Sequence, residues 1–246
     1  MAISWWRGLR SAAVDLVYPP HCPGCGCSAQ VPDLCPTCLT QLWACEKPCC
    51  QKCGEAYLPE GAGTFVCQTC QGRDFFFDYA VSPYQSRGVL RELIHRFKYQ
   101  RQLFLGPLLG SLLVDVLQDE RIVDLRQDWV AVPVPLHARR YREREFNQAL
   151  ELCRELQERS GIPYVNALKR TRYTSSQTRY RREQRMENLR GAFVPRRWKV
   201  GHVAGRTVAL VDDVFTTGST ANECARVLLA SGAEKVQAVV AFHVYP

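Results

Sequence analysis

The sequence predicts an α/β protein: a mostly parallel sheet with helices on both faces, preceded by a small cysteine-rich module. Three observations predict it. From Asp78 onward, apolar strand-like runs alternate with helical patterns, as in a parallel sheet covered on both sides. Of the 13 cysteines, 11 crowd between Cys22 and Cys70. A length of 246 residues suffices for one good-sized core and a small added module.

Each element has its own signal. "DYAVSPY" (Asp78–Tyr84) reads as a first strand. "GVLRELIHRFKYQ" sets Val89, Leu90, Leu93, Ile94 and Phe97 at helical spacing, and "LGPLLGSLLVDVL" follows as a second apolar helix. "DWVAVPVP" (Asp128–Pro135) is a short buried strand that must stop at its prolines. "HARRYREREFNQALELCRELQERSG" enters a helix ending at Gly161, and "IPYVNALKRTR" holds another strand. "RTVALVDDV" carries the strongest strand signal. "STANECARVLLASG" is a helix with Gly232 at its C-terminal stop, and "KVQAVVAFHVY" is a final buried strand.

Eight of the crowded cysteines form four CxxC pairs: Cys22 and Cys25, Cys35 and Cys38, Cys50 and Cys53, Cys67 and Cys70. Such a turn puts two thiolates on one side of a metal, and two turns complete a tetrahedron around Zn²⁺. Sequential pairing gives two closed four-thiolate sites, each structural because no coordination position stays open. Spacing alone leaves a disulfide framework and an iron–sulfur cluster open; without a secretion signal, zinc is the expectation. Cys27, Cys45 and Cys49 are left over.

Charge is segregated too. The net charge is +8, but His137–Lys199 holds 17 basic and 7 acidic residues, a balance of +10, and the remainder sits at −2. That segment should attract phosphates, pyrophosphate or a nucleic-acid backbone. No apolar run reaches membrane-spanning length. Arg7, Arg10 and Asp15 interrupt the apolar stretch that a signal peptide needs, so residues 1–20 are expected to form a short amphipathic helix and the protein to be cytoplasmic.

"VALVDDVFTTGST" (Val208–Thr220) carries the chemistry. Its strand ends at Asp212 and Asp213, and "FTTGST" turns into a helix. In an open α/β sheet, ligands bind beyond the C-terminal strand ends. Backbone N–H groups of the turn and the helix N-terminus make an anion cradle, Thr216, Thr217, Ser219 and Thr220 add hydroxyls, and Gly218 permits close approach. Carboxylates beside a phosphate cradle make sense if they read sugar hydroxyls or support a divalent cation. Phosphate and diol side by side describe a ribose 5-phosphate.

This stretch resembles the phosphoribosyl-pyrophosphate (PRPP) signature of type I phosphoribosyltransferases. The resemblance is closer to the ComF group of phosphoribosyltransferase-like proteins, through "LVYPPHCPGCG", "LIHRFKY", "VPVPLHARRYREREFNQA", "TSSQTRYRREQRMEN" and "GAF". It implies a double zinc ribbon over 21–75, a phosphoribosyltransferase-like domain over 76–246, and a link to competence and DNA uptake. It also implies that Asp212 and Asp213 meet the ribose hydroxyls and the Mg²⁺ side and act in catalysis, and that Thr216, Thr217, Gly218, Ser219 and Thr220 hold the 5-phosphate. Arg139 and Arg140 would reach the diphosphate, with Lys98 a further candidate. A mobile loop over Lys169–Phe193 would close on the site, with Gln177, Arg182, Arg185 and Asn188 its matched residues. Expected partners are PRPP or a related phosphorylated ribose, single-stranded DNA and DNA-uptake proteins. Either phosphoribosyl transfer to some acceptor or a non-catalytic role on single strands fits the pattern. One departure stands out: Glu145 replaces a glycine usual in the family. A carboxylate near a diphosphate repels it unless Arg142 or Arg144 pairs with it, and a left-handed backbone there would be strained.

Overall fold

The computed structural model describes residues 21–29, 33–45, 47–56, 65–123, 128–173 and 189–244. The expected helix over 1–20 and the loop residues Gln177, Arg182, Arg185 and Asn188 lie outside them. After a short helix in the cysteine module, α1 (Pro36–Leu39), come β1 (Ala80–Val81), β2 (Tyr84–Gln85), α2 (Gly88–Tyr99), α3 (Gly106–Val114), α4 (Glu120–Val123) and β3 (Trp129–Pro133). Then follow α5 (Ala138–Arg144), α6 (Gln148–Ser160), β4 (Leu168–Arg170), β5 (Phe193–Pro195), β6 (Thr207–Phe215), α7 (Ser219–Leu229) and β7 (Lys235–His243).

The main sheet is parallel throughout. β3 pairs with β6, β6 with β7, and β1 and β2 both lie along β7. Strand alternation divides the apolar side chains between two layers. Ala131, Ala209, Val211 and Val239 face Leu90, Leu93 and Phe97 of α2, Leu109 and Leu113 of α3, and Leu152 and Leu156 of α6. Val130, Val132, Val208, Leu210 and Val240 face Cys224, Ala225 and Leu228 of α7. Both layers are fully buried, which is why β3, β6 and β7 read as continuous apolar runs.

Four expected elements came out differently. The first strand is two pieces, broken by Ser82 and Pro83. The expected helix up to Gly161 is two helices, α5 and α6. The strand expected in 162–172 contributes β4 not to the main sheet but to a separate antiparallel pair with β5. β6 does not stop at the aspartates: it runs through them to Phe215, held by β7 on its flank.

The α5–α6 break is at Glu145, which caps α5 with φ +70 and donates its N–H to Tyr141 O. This is the left-handed conformation that costs a side-chain-bearing residue about 1–2 kcal/mol. Its carboxylate pairs with Arg101 at 2.7 Å, a partner other than Arg142 or Arg144. Arg101 itself has φ +56, and its guanidinium also donates to Glu143 O at 3.2 Å.

The two cysteine clusters pack on opposite layers. Cys22 and Cys38 join the α2 side, where a Cβ on Gly24 would lie 2.7 Å from Val89. Cys50, Cys53, Cys67 and Cys70 join the α7 side. Between them the module runs along the β1–β2 edge: Cys45 N–H donates to Pro83 O, Gln85 N–H to Trp43 O and Ala80 N–H to Lys52 O. An otherwise unpaired edge is thus covered.

Candidate ligand pocket and metal centres

Topology puts a crevice between the C-terminal ends of β3 and β6. The chain leaves β3 toward α6 on one layer and leaves β6 toward α7 on the other, so the two loops diverge; this is the switch point where α/β sheets bind ligands.

The acidic pair is split by the pleat. Asp212 lines a recess with Val134, Phe215 and the turn Thr216–Thr220. Asp213, pointing the other way, meets Lys98 of α2 at 3.1 Å; the two side chains are only 13% and 16% exposed. Asp213 N–H donates to Asp212 Oδ1 at 2.9 Å. Burial, then the adjacent Asp213 charge, pushes the Asp212 carboxyl up to about 8, with Lys98 pulling the other way. A cation bound beside it would favour the ionised form and oppose that rise.

The turn beside it is preset. Gly218 has φ +73, and a Cβ there would sit 2.9 Å from Phe215 Cζ and 3.4 Å from Phe77 Cζ. Thr217 Oγ1 and Ser219 Oγ are 2.9 Å apart, and Ser219 N–H donates to Thr217 Oγ1 at 3.4 Å. Thr216 is exposed, and Thr220 is half-buried in the first turn of α7.

On the β3 side, His137 caps α5, its Nδ1 accepting from Arg139 N–H at 3.2 Å. The Arg139 guanidinium is engaged on the surface by Glu143 at 3.2 Å and by the Tyr173 ring at 4.8 Å. Arg140 is half-buried and, after burial, is the next cause holding the Arg170 guanidinium below its usual pKa; Asp212 opposes that shift. Arg140, Arg170 and Asp212 thus share one electrostatic neighbourhood. The structure brings together Asp212, Asp213, Lys98 and the Thr216–Thr220 turn, sets Arg140 near Arg170, and leaves Arg139 exposed.

Arg170 was missed by the sequence reading. It ends β4, opposite Phe193 and bridged to His137. Its signal was present: in "ALKR", Leu168 and Arg170 share one face of a short strand, and Lys169 takes the exposed one.

The thiols gather as the spacing predicts, Cys22, Cys25, Cys35 and Cys38 in one group, Cys50, Cys53, Cys67 and Cys70 in the other, with the sulfurs of each group within 4.8 Å of one another. Sulfur pairs at 3.6 Å occur in both, between Cys25 and Cys35 and between Cys53 and Cys67. A tetrahedron with Zn–S bonds of about 2.3 Å needs sulfurs about 3.8 Å apart, so both groups fit zinc. None of the 13 cysteines is in a disulfide. Cys27 lies against Cys25 and Cys35 at the exposed edge of the first group. Among the described residues, no helix is long and apolar enough to cross a membrane.

A parallel α/β domain with an acid-flanked Thr/Gly/Ser turn and a paired four-cysteine module defines the class. Residues 13–71 match the family model of the double zinc ribbon domain. Competence protein F of Haemophilus influenzae is 38% identical over 147 residues, 59% of this chain and 64% of that protein, a little under two thirds of its length. DNA utilization protein YhgH of Escherichia coli K12 is 34% identical over 194 residues, 78% of this chain and 82% of that one. A solved hypoxanthine-guanine phosphoribosyl transferase of L. donovani is 17% identical, covering 58% of this chain and 71% of its own, with a TM-score of 0.35. The chain belongs to the ComF family of competence protein F and YhgH.

Proposed function

We propose that the chain binds PRPP, with its accompanying Mg²⁺, in the crevice between β3 and β6 and transfers the phosphoribosyl group to an acceptor. The observation that carries this reading is the recess joining the Gly218 turn to the half-buried Asp212. The 5-phosphate would take the backbone N–H groups of Thr216–Thr220 and the hydroxyls of Thr217 and Ser219. Asp212 would accept from the ribose hydroxyls, and Arg140 and Arg170 would face the diphosphate, whose oxygens match guanidinium forks. Mg²⁺ would supply charge compensation to the diphosphate, with Asp212 and Asp213 the carboxylates at hand. In transfer, the bond from C1 to the pyrophosphate oxygen breaks, that oxygen keeps the electron pair, and an acceptor nucleophile bonds to C1. The chain's part is positioning, neutralising the leaving group and excluding water.

The protonated Asp212 makes this testable by pH. Hydroxyl donors and cations prefer the carboxylate, so PRPP affinity should rise as pH climbs from 6 to 8.5 through the raised value near 8. Calorimetric titration of PRPP with Mg²⁺ should show this rise, and Asp212→Asn should bind at least about tenfold more weakly with a flat profile. An Asp212→Asn, Asp213→Asn protein with full PRPP affinity overturns the assignment.

A second reading, contact with single-stranded DNA, is favoured by Trp198. It is 92% exposed, between Arg197 and Lys199 and at the end of the basic segment. The relatives' names, competence protein and DNA utilization protein, set the same context. Stacking on Trp198 with phosphates on the flanking cations predicts binding to single strands that falls steeply between 50 and 200 mM salt and weakens in Trp198→Ala. Binding indifferent to salt rules it out.

A further inference from the structure

A continuous set of contacts joins the second cysteine cluster to the underside of the Gly218 turn. The knuckle Cys50–Gly54 is fixed to the sheet edge: Ala80 N–H donates to Lys52 O at 2.7 Å, and a Cβ on Gly54 would lie 2.9 Å from Ala80 O. Within that knuckle, Cys53 O is 3.0 Å from His243 Nε2. The imidazole is 3% exposed and lies 5.3 Å from the Phe215 ring, tilted by 33°. Phe215 in turn fills the space beneath Gly218.

A second arm reaches the same place. The segment after Cys70 brings in Phe77, edge-on to Phe215 at 6.1 Å, with Phe75 behind it at 5.0 Å. Phe76 N–H donates to Asn222 Oδ1 at 2.6 Å, and Asn222 N–H donates to Gly218 O at 2.8 Å. Both arms start at the knuckles of one cluster and end on one glycine.

The identity of residue 243 is informative. A phenylalanine would fill this aromatic pocket without burying a polar ring, which costs free energy unless hydrogen-bonded. Histidine adds what phenylalanine lacks, an Nε2–H that the Cys53 carbonyl accepts. We propose that His243 is a positioning residue that fastens the phosphate-binding turn to the second cysteine cluster, so that ligand affinity at the turn and metal retention at the cluster are linked. The proposal rests on the PRPP reading of the pocket. Linkage is reciprocal: metal that holds the knuckle raises affinity at the turn, and a ligand that needs the turn in place holds the metal longer.

The test uses the full chain loaded with zinc, in excess Mg²⁺. PRPP affinity is measured by calorimetry, and zinc loss to a metallochromic chelator is timed with and without saturating PRPP. In the unmodified protein, PRPP should slow the loss of one of two zinc equivalents by about fivefold or more. His243→Phe keeps the ring contact and loses the bond to Cys53; it should bind PRPP about fivefold more weakly and lose the slowing. His243→Gln keeps a donor but loses the ring over Phe215, and should weaken binding likewise, which covers the case in which the phenylalanine variant does not fold. A merely structural histidine would change stability and leave PRPP and zinc release coupled. Retention of both PRPP affinity and the slowing in His243→Phe overturns the proposal. So does zinc release indifferent to PRPP in an unmodified protein that binds PRPP, and the pocket reading then stands. Failure of the unmodified protein to bind PRPP overturns both.

Discussion

Gly218→Ala should lower the unfolding free energy by about 2–5 kcal/mol and weaken PRPP binding at least tenfold. Two costs add. The backbone at 218 sits at φ +73, where a side chain costs about 1–2 kcal/mol. The new methyl would also meet Phe215 Cζ at 2.9 Å. That ring has little room to retreat, with His243 on one side and Phe77 edge-on at 6.1 Å, so overpacking adds about 1–3 kcal/mol. The turn can relieve the clash only by moving off the recess beside Asp212, which is why affinity should fall with stability. Thermal unfolding and calorimetry on the same preparation check both. An alanine variant with unchanged melting temperature and affinity would show that the turn is not preset.

Removal of zinc should have the largest effect on the fold. Metal analysis is expected to find two zinc ions per chain. Four-thiolate zinc sites contribute on the order of 10 kcal/mol to the folding of small modules, which bury little core of their own. Loss of the second site frees the knuckle that contributes Lys52 O to Ala80, and with it the cover of the β1–β2 edge. The α7 side would also lose Cys50, Cys53, Cys67 and Cys70 from its apolar layer. An exposed edge strand beside uncovered apolar surface pairs with other chains. Cys50→Ser, or full chelation, should therefore give light scattering and rapid proteolysis near residues 50–78. Zinc-free protein that stays monomeric and protease-resistant would falsify this role.

The parts legible in the sequence are those with a local signature. Four CxxC spacings named two clusters, because a knuckle is a property of four consecutive residues. The apolar run Val208–Val211 named β6, because a strand buried on both faces cannot hide its composition. What escaped depends on distance along the chain. β4 and β5 pair across residues 171–192, and nothing within either three-residue strand announces its partner. Arg170 came within electrostatic reach of Asp212 only through that pairing. The break between α5 and α6 carries no glycine or proline; it is held by Glu145 in a conformation its residue type disfavours, with Arg101 supplying the partner. The acidic pair was legible as chemistry but not as geometry. Extending the strand through both aspartates makes them neighbours in sequence that face opposite layers, one toward the recess and one toward Lys98.

The β1–β7 pairing also sets an order of events during synthesis. The cysteine module leaves the ribosome before the sheet it packs on and can take up metal early, since its ligands span only Cys22–Cys70. Its dock does not yet exist. β1 has no strand partner until β7 is made, and the Cys53 carbonyl waits for a histidine 190 residues downstream. Long-range closures of this kind form slowly, and their unpaired edges stay exposed meanwhile. A metal-loaded module would thus fold ahead of its dock and present an apolar surface awaiting its partner, so zinc supply during translation should govern the yield of native protein more than zinc supply afterwards.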